Sequence, residues 1–92
     1  MRYTWDPEKD ALNRRKHGLG LAEGIPALED PHREFWIDDR FDYGEERIAT
    51  LGLGARRILY VVSKISQTDI TRIISVRKAN KNEVKQYDRS RS

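Results

Sequence analysis

The order of apolar and polar positions divides the chain into a helical first third and an extended remainder. Between Leu21 and Leu28, apolar side chains recur at the i, i+4 and i+7 spacing of one helical face, which predicts a short helix over about Leu21–Glu29. Gly24 weakens helices and Pro26 cannot donate a backbone hydrogen bond, so this helix is expected to be kinked, irregular or shortened.

Capping signals predict a first helix before this segment. Asp6 is a favourable N-cap, Pro7 fits the first helical position and Gly18 can end the helix, so the helix is expected over about Pro7–His17. Its last turn is the run Arg14-Arg15-Lys16-His17, whose positive charges suit the negative end of the helix dipole without any ligand.

Beyond residue 32 the pattern becomes extended. Four short runs rich in β-branched side chains predict an antiparallel meander: Arg33–Asp38, Arg47–Leu53, Arg57–Ile65 and Ile70–Arg77. A final helix is predicted over about Asn80–Arg89, with Asn80 as N-cap and Glu83 three residues later. The expected fold is α+β, with two N-terminal helices on one face of a four-stranded antiparallel sheet, a C-terminal helix, and the opposite face left for function.

Length and composition narrow the possibilities. Ninety-two residues predict a single domain over residues 1–92. The chain has no cysteine, no apolar run long enough for a membrane span and no apolar centre of a secretory signal, so we expect a soluble cytoplasmic protein. The absence of cysteine also excludes disulfides, thiolate metal ligands and a thiol nucleophile.

The net charge of +3 conceals a strong asymmetry between the two halves. Residues 1–46 carry 7 Lys and Arg against 12 Asp and Glu, a net of −5, whereas residues 47–92 carry 11 against 3, a net of +8. A basic half attracts polyanions such as nucleic acid. On composition alone, a second interpretation is about equally good, namely that the charges only keep a small domain soluble.

One basic cluster lies on the last predicted strand. Arg72 and Arg77 are five residues apart, so strict alternation would point them to opposite faces of the sheet. A bulge or strand end near Val76 would bring them to one face. The alternative is that Arg72 is a structural residue with a solvated head or an ion-pair partner such as Glu46.

A second basic cluster lies at the end of the first predicted helix. Lys16 could stabilise phosphate charge and His17 could move a proton, although a histidine at a helix C-terminus is more often a cap. Trp5 could stack on a base, or it could fill the core next to the helix.

Metal ligation is the competing chemistry. Asp38, Asp39 and Asp42 offer oxygen ligands for magnesium, but acid-rich loops are mostly solvated turns, and His17 and His32 lack a zinc spacing. RNA carries its own nucleophile, the 2′-hydroxyl, so a site of basic side chains implies RNA rather than DNA as substrate. We therefore expect no metal and no cofactor.

Two motifs carry a resemblance to a known family. The opening W-D-x-x-K-x-x-x-N-x-x-K-H-G spans Trp5–Gly18, and the closing R-I-I-S-x-R-K-A spans Arg72–Ala79. With Asp30-Pro31, Glu46-Arg47, Gly52, Glu83 and Tyr87, they resemble the BrnT family of type II toxins from Trp5 to Tyr87. Either motif alone would be weak, but the two at this separation are specific.

The resemblance implies a RelE-like ribonuclease fold, metal-independent RNA cleavage that inhibits translation and growth, and neutralisation by a BrnA-like antitoxin. Such antitoxins carry a ribbon-helix-helix DNA-binding region through which the complex contacts operator DNA. The implied catalytic residues are Lys16, His17, Arg47, Arg72 and Arg77, and we expect RNA contacts at Trp5, Arg14, Lys78 and Tyr87. The family usually has an aromatic residue at the position of Leu21 and a clean helix after it, so this segment is expected to pack differently.

A non-catalytic basic module that binds nucleic acid or a protein is the alternative, with Arg72 and Arg77 holding the structure. Cleavage of RNA in EDTA, and loss of that cleavage in a folded Arg77→Ala variant, would favour the enzyme.

Overall fold

The chain folds into three α-helices and a five-stranded mixed sheet, in a computed structural model that describes residues 2–39 and 44–91. The strands are β1 (Arg2–Thr4), β2 (Glu34–Ile37), β3 (Ile48–Leu53), β4 (Ile58–Gln67) and β5 (Ile70–Lys78). The helices are α1 (Pro7–His17), α2 (Ile25–Leu28) and α3 (Lys81–Arg91), and a 3₁₀ turn over Leu21–Gly24 leads into α2. In the described ranges, none of the helices has the length and apolar character that crossing a bilayer requires.

The sheet has the strand order β1-β5-β4-β3-β2. β2 to β5 form the predicted antiparallel meander, but β1 adds a fifth strand parallel to β5, from Arg2 opposite Ile70 to Thr4 opposite Arg72. The prediction of four strands, all antiparallel, is wrong in this respect. A strand of three residues is too short to show an alternating pattern, so only its pairing with β5 reveals it.

Local capping signals determine α1. The N–H of Glu8 donates to Asp6 Oδ1 at 2.9 Å, and the helix ends at Gly18, whose φ of +73° is a left-handed conformation that favours glycine. The N–H of Gly18 donates to the Arg14 carbonyl at 2.9 Å. The predicted bounds of this helix are confirmed.

The predicted second helix consists of the 3₁₀ turn and the single turn of α2, so the expected irregularity is confirmed. Pro26 lies in the first turn of α2, where the missing N–H has no helical partner to lose. Gly24 has a packing reason, because a Cβ at this position would lie 2.9 Å from Val76 Cγ2. The close approach of this turn to the sheet therefore requires the residue that weakens the helix.

The sheet separates two apolar clusters. On one side, called the helix face, α1, the 3₁₀ turn and α2 pack on β3, β4 and β5 around the core residues Leu21, Ala27, Leu59, Val61, Ile73 and Val76. On the other side, called the open face, Tyr87 of α3 packs against Ala49, Leu51, Tyr60 and Val62. In the described residues α3 is the one helix that packs there, which leaves much of the open face uncovered.

A buried hydrogen bond secures α3. Tyr87 is 1% exposed, and its hydroxyl donates to Asp30, which also accepts from the backbone N–H groups of Leu53 and His32 at 2.8 Å each. Burial, followed by this hydrogen bond, raises the pKa of Tyr87 to about 12, so the hydroxyl keeps its proton at neutral pH. Asp30 thus connects the end of α2 with β3 and α3, and the last helix docks on the sheet.

Candidate functional site

A bulge in β5 brings Arg72 and Arg77 to the same face. The β4–β5 register shifts by one residue, so that β5 carries one residue more than β4 at Ile74. Ile73 and Val76, three residues apart, consequently both pack in the core of the helix face. Their neighbours Arg72 and Arg77 therefore both point to the open face. The bulge that the sequence left open as a possibility is confirmed.

Arg72 belongs to a row of three cations across the open face. Lys64 is its partner in the β4–β5 register, and Arg47 lies one residue before β3, in line with Lys64 by extension of the β3–β4 register. Like charges opposite one another repel, and Glu45 offsets this: its carboxylate lies 2.6 Å from Lys64 Nζ and 3.7 Å from Arg47 Nη2. The hydrogen bond from Lys64 is the main cause of a lowered pKa of Glu45.

Arg72 differs from its two neighbours in this row. Within residues 2–39 and 44–91 its side chain has no hydrogen bond and no ion pair, and the suggested pairing with Glu46 is not formed there. Arg72 as a whole residue is half-buried. Arg72 is therefore placed to accept an anion from outside the chain.

Arg77 is fixed at the other end of β5 by a carboxylate and an aromatic ring. Its Nη1 and Nη2 donate to Oε1 and Oε2 of Glu83 at 2.8 and 2.9 Å, and its guanidinium carbon lies 4.0 Å from the centre of the Tyr60 ring. Glu83 also accepts from the N–H of Asn80, whose side chain accepts from the N–H of Glu83, which confirms the predicted capping box. One carboxylate thus ties the start of α3 to the end of β5.

Asn13 holds the end of α1 against β5. β1 stops at Thr4, and beyond it the Asn13 side chain occupies the edge of β5: Nδ2 donates to the Val76 carbonyl at 2.9 Å, and Oδ1 accepts from the Val76 N–H at 3.2 Å. Nδ2 also donates to the Leu19 carbonyl at 2.7 Å. This amide is 6% exposed and sits one helical turn before His17. It therefore sets where the basic end of α1 lies relative to β5.

His17 is subject to the charges of the neighbouring cations. Its pKa is lowered, first by burial and then by the positive charges of Lys16 and Arg77. Together with the hydrogen bonds between Asn13 and Val76, the effect of Arg77 on His17 indicates that the end of α1 lies close to the end of β5. At neutral pH the imidazole is mainly in its unprotonated form, which can accept a proton.

A titration tests this environment. Because protonation of His17 is disfavoured in the folded state, its NMR titration midpoint is expected below 6.5, and Lys16→Gln is expected to move it back upward. The unfolded chain then binds more protons than the folded one at and below pH 6.5, so the free energy of unfolding should fall as the pH drops through that window. His17→Gln, which removes the group, should weaken this dependence; a midpoint above 6.5 would contradict the assignment.

The four residues predicted to contact RNA differ in how far they are buried and in what they bind. Lys78 is exposed at the end of β5, and Arg14 is exposed with its Nε 3.1 Å from Asp10 Oδ2. Trp5 is half-buried and packs against the core of the helix face. Tyr87 is buried with its hydroxyl bound to Asp30, so its position indicates a structural role and not the expected contact with RNA.

The carboxylates considered as metal ligands do not form a described cluster. Asp38 is buried and Asp39 is exposed, while Asp42 lies outside the described residues. In the ranges 2–39 and 44–91, no three side chains of His, Cys, Asp or Glu come together in a way that could hold a metal ion.

The predicted catalytic residues form two groups. Lys16, His17 and Arg77 lie near the end of β5, whereas Arg47 and Arg72 belong to the cation row. At about 3.3 Å per residue, Arg72 and Arg77 are roughly 15 Å apart along the strand, which exceeds the length of one phosphodiester unit. A polynucleotide that runs along β5 from Arg72 to the end of the strand could contact both groups, but a single phosphate could not.

Sequence reasoning missed residues that complete these groups. Lys64 had a recognisable signal, since it follows Tyr60 and Val62 at the period of two and so shares their face. Glu45 had none, because its contact with Lys64 joins residues 19 positions apart and depends on the register of the sheet. Asn13 was part of the opening motif, but its role becomes clear only from the partner on β5.

Comparisons with known proteins identify the family and the fold. The family model described as "Ribonuclease toxin, BrnT, of type II toxin-antitoxin system" matches residues 5–83. Among solved structures, the fold is similar to the 1.1 Å crystal structure of the Brucella abortus ribonuclease toxin BrnT, with a TM-score of 0.64 and 24% identity, covering 88% of this chain and 99% of that one. At that identity the structural likeness shows the fold alone. No curated protein sequence matches the chain.

Proposed function

The chain belongs to the BrnT family of ribonuclease toxins of type II toxin-antitoxin systems, and from this membership we propose that it cleaves RNA without a metal ion. The observation that carries the proposal is the meeting of α1 and β5, where Asn13 binds both backbone groups of Val76 and so brings His17 towards Arg77. Cationic side chains stabilise the charge that develops on a phosphate, and a mainly neutral imidazole can take up a proton.

RNA supplies the nucleophile for the proposed reaction. The 2′-oxygen attacks the adjacent phosphorus and the bond to the 5′-oxygen breaks, which leaves a 2′,3′-cyclic phosphate and a 5′-hydroxyl. One proton leaves the 2′-hydroxyl and one is delivered to the 5′-oxygen, so the balance needs no co-reactant. We assign the first transfer to His17, and we assign to Arg77 and Lys16 the stabilisation of the negative charge on the pentavalent phosphorus.

The remaining basic residues extend the proposed contact along the RNA backbone. We assign Arg47 and Arg72 to a neighbouring phosphate, because their distance from Arg77 suits a different unit of the same strand. Lys78, Arg14 and Trp5 are further proposed contacts. Tyr87 is left out of this set because its side chain is buried.

The proposed partners follow from the type II toxin-antitoxin description of the family. We propose that a BrnA-like antitoxin with a ribbon-helix-helix DNA-binding region neutralises the toxin, and that the complex contacts operator DNA through the antitoxin. We place the reaction in the cytoplasm, where RNA is available.

Purified, antitoxin-free protein is expected to cleave RNA in EDTA and to leave 2′,3′-cyclic phosphate ends, which end-group analysis can detect. Arg72→Ala is expected to reduce cleavage, whereas Arg33→Ala, the same change at an exposed residue next to β2 on the opposite edge of the sheet, should leave it unchanged. Induced expression should arrest growth, and coexpression of the neighbouring gene product should relieve the arrest. Activity that requires magnesium, or folded protein that is inactive on free and ribosome-bound RNA, would contradict the proposal.

A further inference from the structure

A cavity of about 660 Å³ lies next to the proposed catalytic residues on the helix face of the sheet. It is enclosed by the end of α1, the turns that follow it, and the hairpin between β3 and β4. The volume is within the range of pockets that bind small ligands. Both His17 and Lys78 line it, so the cavity is continuous with the region in which cleavage is proposed.

The lining combines an apolar interior with a basic rim. Leu59, which is 3% exposed, forms the buried part of the lining, while Leu19 is half-buried and Pro26 is exposed. Arg56 and Arg57 belong to the exposed turn of the hairpin, where the N–H of Gly54 donates to the Arg57 carbonyl at 2.9 Å. A flat apolar surface with cations at its edge suits a nucleobase attached to a phosphate.

The positive charge at this rim is not compensated by neighbouring carboxylates. In the described part of the chain, the side chains of Arg56, Arg57 and Lys78 form no hydrogen bond or ion pair. Glu23 is the single acidic residue of the lining, and its carboxylate accepts from the N–H of Gly20 at 2.7 Å. The contrast with Lys64, which Glu45 neutralises, indicates a surface that receives its anion from a ligand.

We propose that this cavity binds the nucleotide next to the cleaved phosphodiester, with its base against Leu19 and Pro26 and its phosphate on Arg56 and Arg57. This inference rests on the proposed ribonuclease function and adds a substrate subsite to it. His17 lines the cavity and is the residue that this subsite shares with the proposed catalytic group. The cavity therefore selects the base that flanks the cut and does not perform the chemistry.

The first test separates substrate binding from chemistry. Arg56→Ala combined with Arg57→Ala should raise the KM for RNA about tenfold and change kcat little, because the phosphate contact is made equally in the ground and transition states. The matched control is Arg33→Ala combined with Lys85→Ala, which removes the same two positive charges at exposed positions outside the cavity, one next to β2 and one on α3. All four positions are exposed, so the variants should fold as the wild type does.

The second test addresses base selection directly. Ala22→Trp fills the cavity from the 3₁₀ turn and is expected to change the distribution of cleavage sites on a defined RNA, with circular dichroism and thermal unfolding as checks of the fold. Nucleoside monophosphates, titrated into the protein and followed by NMR, should shift the signals of Leu19 and Leu59, and one base should bind more tightly than the others. This binding does not depend on cleavage, so it remains informative even in a protein without ribonuclease activity.

The outcomes distinguish the two proposals. If the wild type cleaves RNA while the arginine and tryptophan variants show unchanged KM and unchanged cleavage sites, the subsite is wrong and the ribonuclease function stands. If no RNA is cleaved but a nucleotide still shifts the cavity signals, the nucleotide site stands and the ribonuclease function is wrong. If an acidic peptide shifts these signals and no nucleotide does, the cavity is a protein-binding site and the proposal is overturned.

Discussion

Replacing Asn13 with alanine is expected to lower the free energy of unfolding by about 2–4 kcal/mol, because it leaves the N–H and C=O of Val76 buried without their partner. A loss of this size is a large fraction of the total stability of so small a domain. The same change frees the end of α1 from β5, so His17 should no longer be held near Arg77 and cleavage should fall with it.

Chemical denaturation measures the first effect, and two variants sharpen its interpretation. Asn13→Asp keeps the size and the acceptor but removes the donor to the Val76 and Leu19 carbonyls, so it should also destabilise strongly. Arg15→Ala, an exposed position on the same helix, should change stability by less than about 0.5 kcal/mol. A stability of Asn13→Ala equal to that of Arg15→Ala would show that the edge of β5 does not need this amide.

The parts of the fold that were predicted correctly are those whose causes lie within a few residues. Asp6, Pro7 and Gly18 determine α1 through caps and backbone conformation, and the irregularity of the second helical segment follows from Gly24 and Pro26. β1 could not be predicted, because a three-residue strand exists only through its pairing with β5, which is distant in the sequence. The same reason explains why the parallel pair was missed.

The sequence predicted which residue types form the site more completely than it predicted how they are arranged in space. The basic residues carry the resemblance and were identified, but their common face depends on the bulge at Ile74, which alternation alone cannot locate. Nor can a sequence show that Glu45 approaches Lys64 or that Glu83 takes both nitrogens of Arg77. Charge pairing across a sheet depends on strand order and register, so it follows from the fold and not from composition.

The expected effect of Arg77→Ala is a loss of about 10²–10³ in kcat, the usual result of removing one donor that stabilises a transition-state charge. The ion pair with Glu83 complicates this test, because the variant also removes the positive charge next to a largely buried carboxylate, which keeps its hydrogen bond from the N–H of Asn80. That should lower the free energy of unfolding by about 1–2 kcal/mol, a moderate value because Arg77 remains 29% exposed. Activity must therefore be measured under conditions where the variant is fully folded.

Glu83→Gln resolves whether Arg77 acts on RNA or only secures α3. The amide can still accept from the N–H of Asn80 and from one nitrogen of Arg77, so the cap persists while the negative charge disappears. If Arg77 stabilises phosphate charge, Glu83→Gln should retain or increase cleavage, and Arg77→Ala should remain inactive when combined with it. If the pair is only structural, both single variants should lose activity in proportion to their loss of folded protein, and the double variant should recover it. Unfolding and single-turnover cleavage of the four proteins distinguish these cases, since they report stability and chemistry separately.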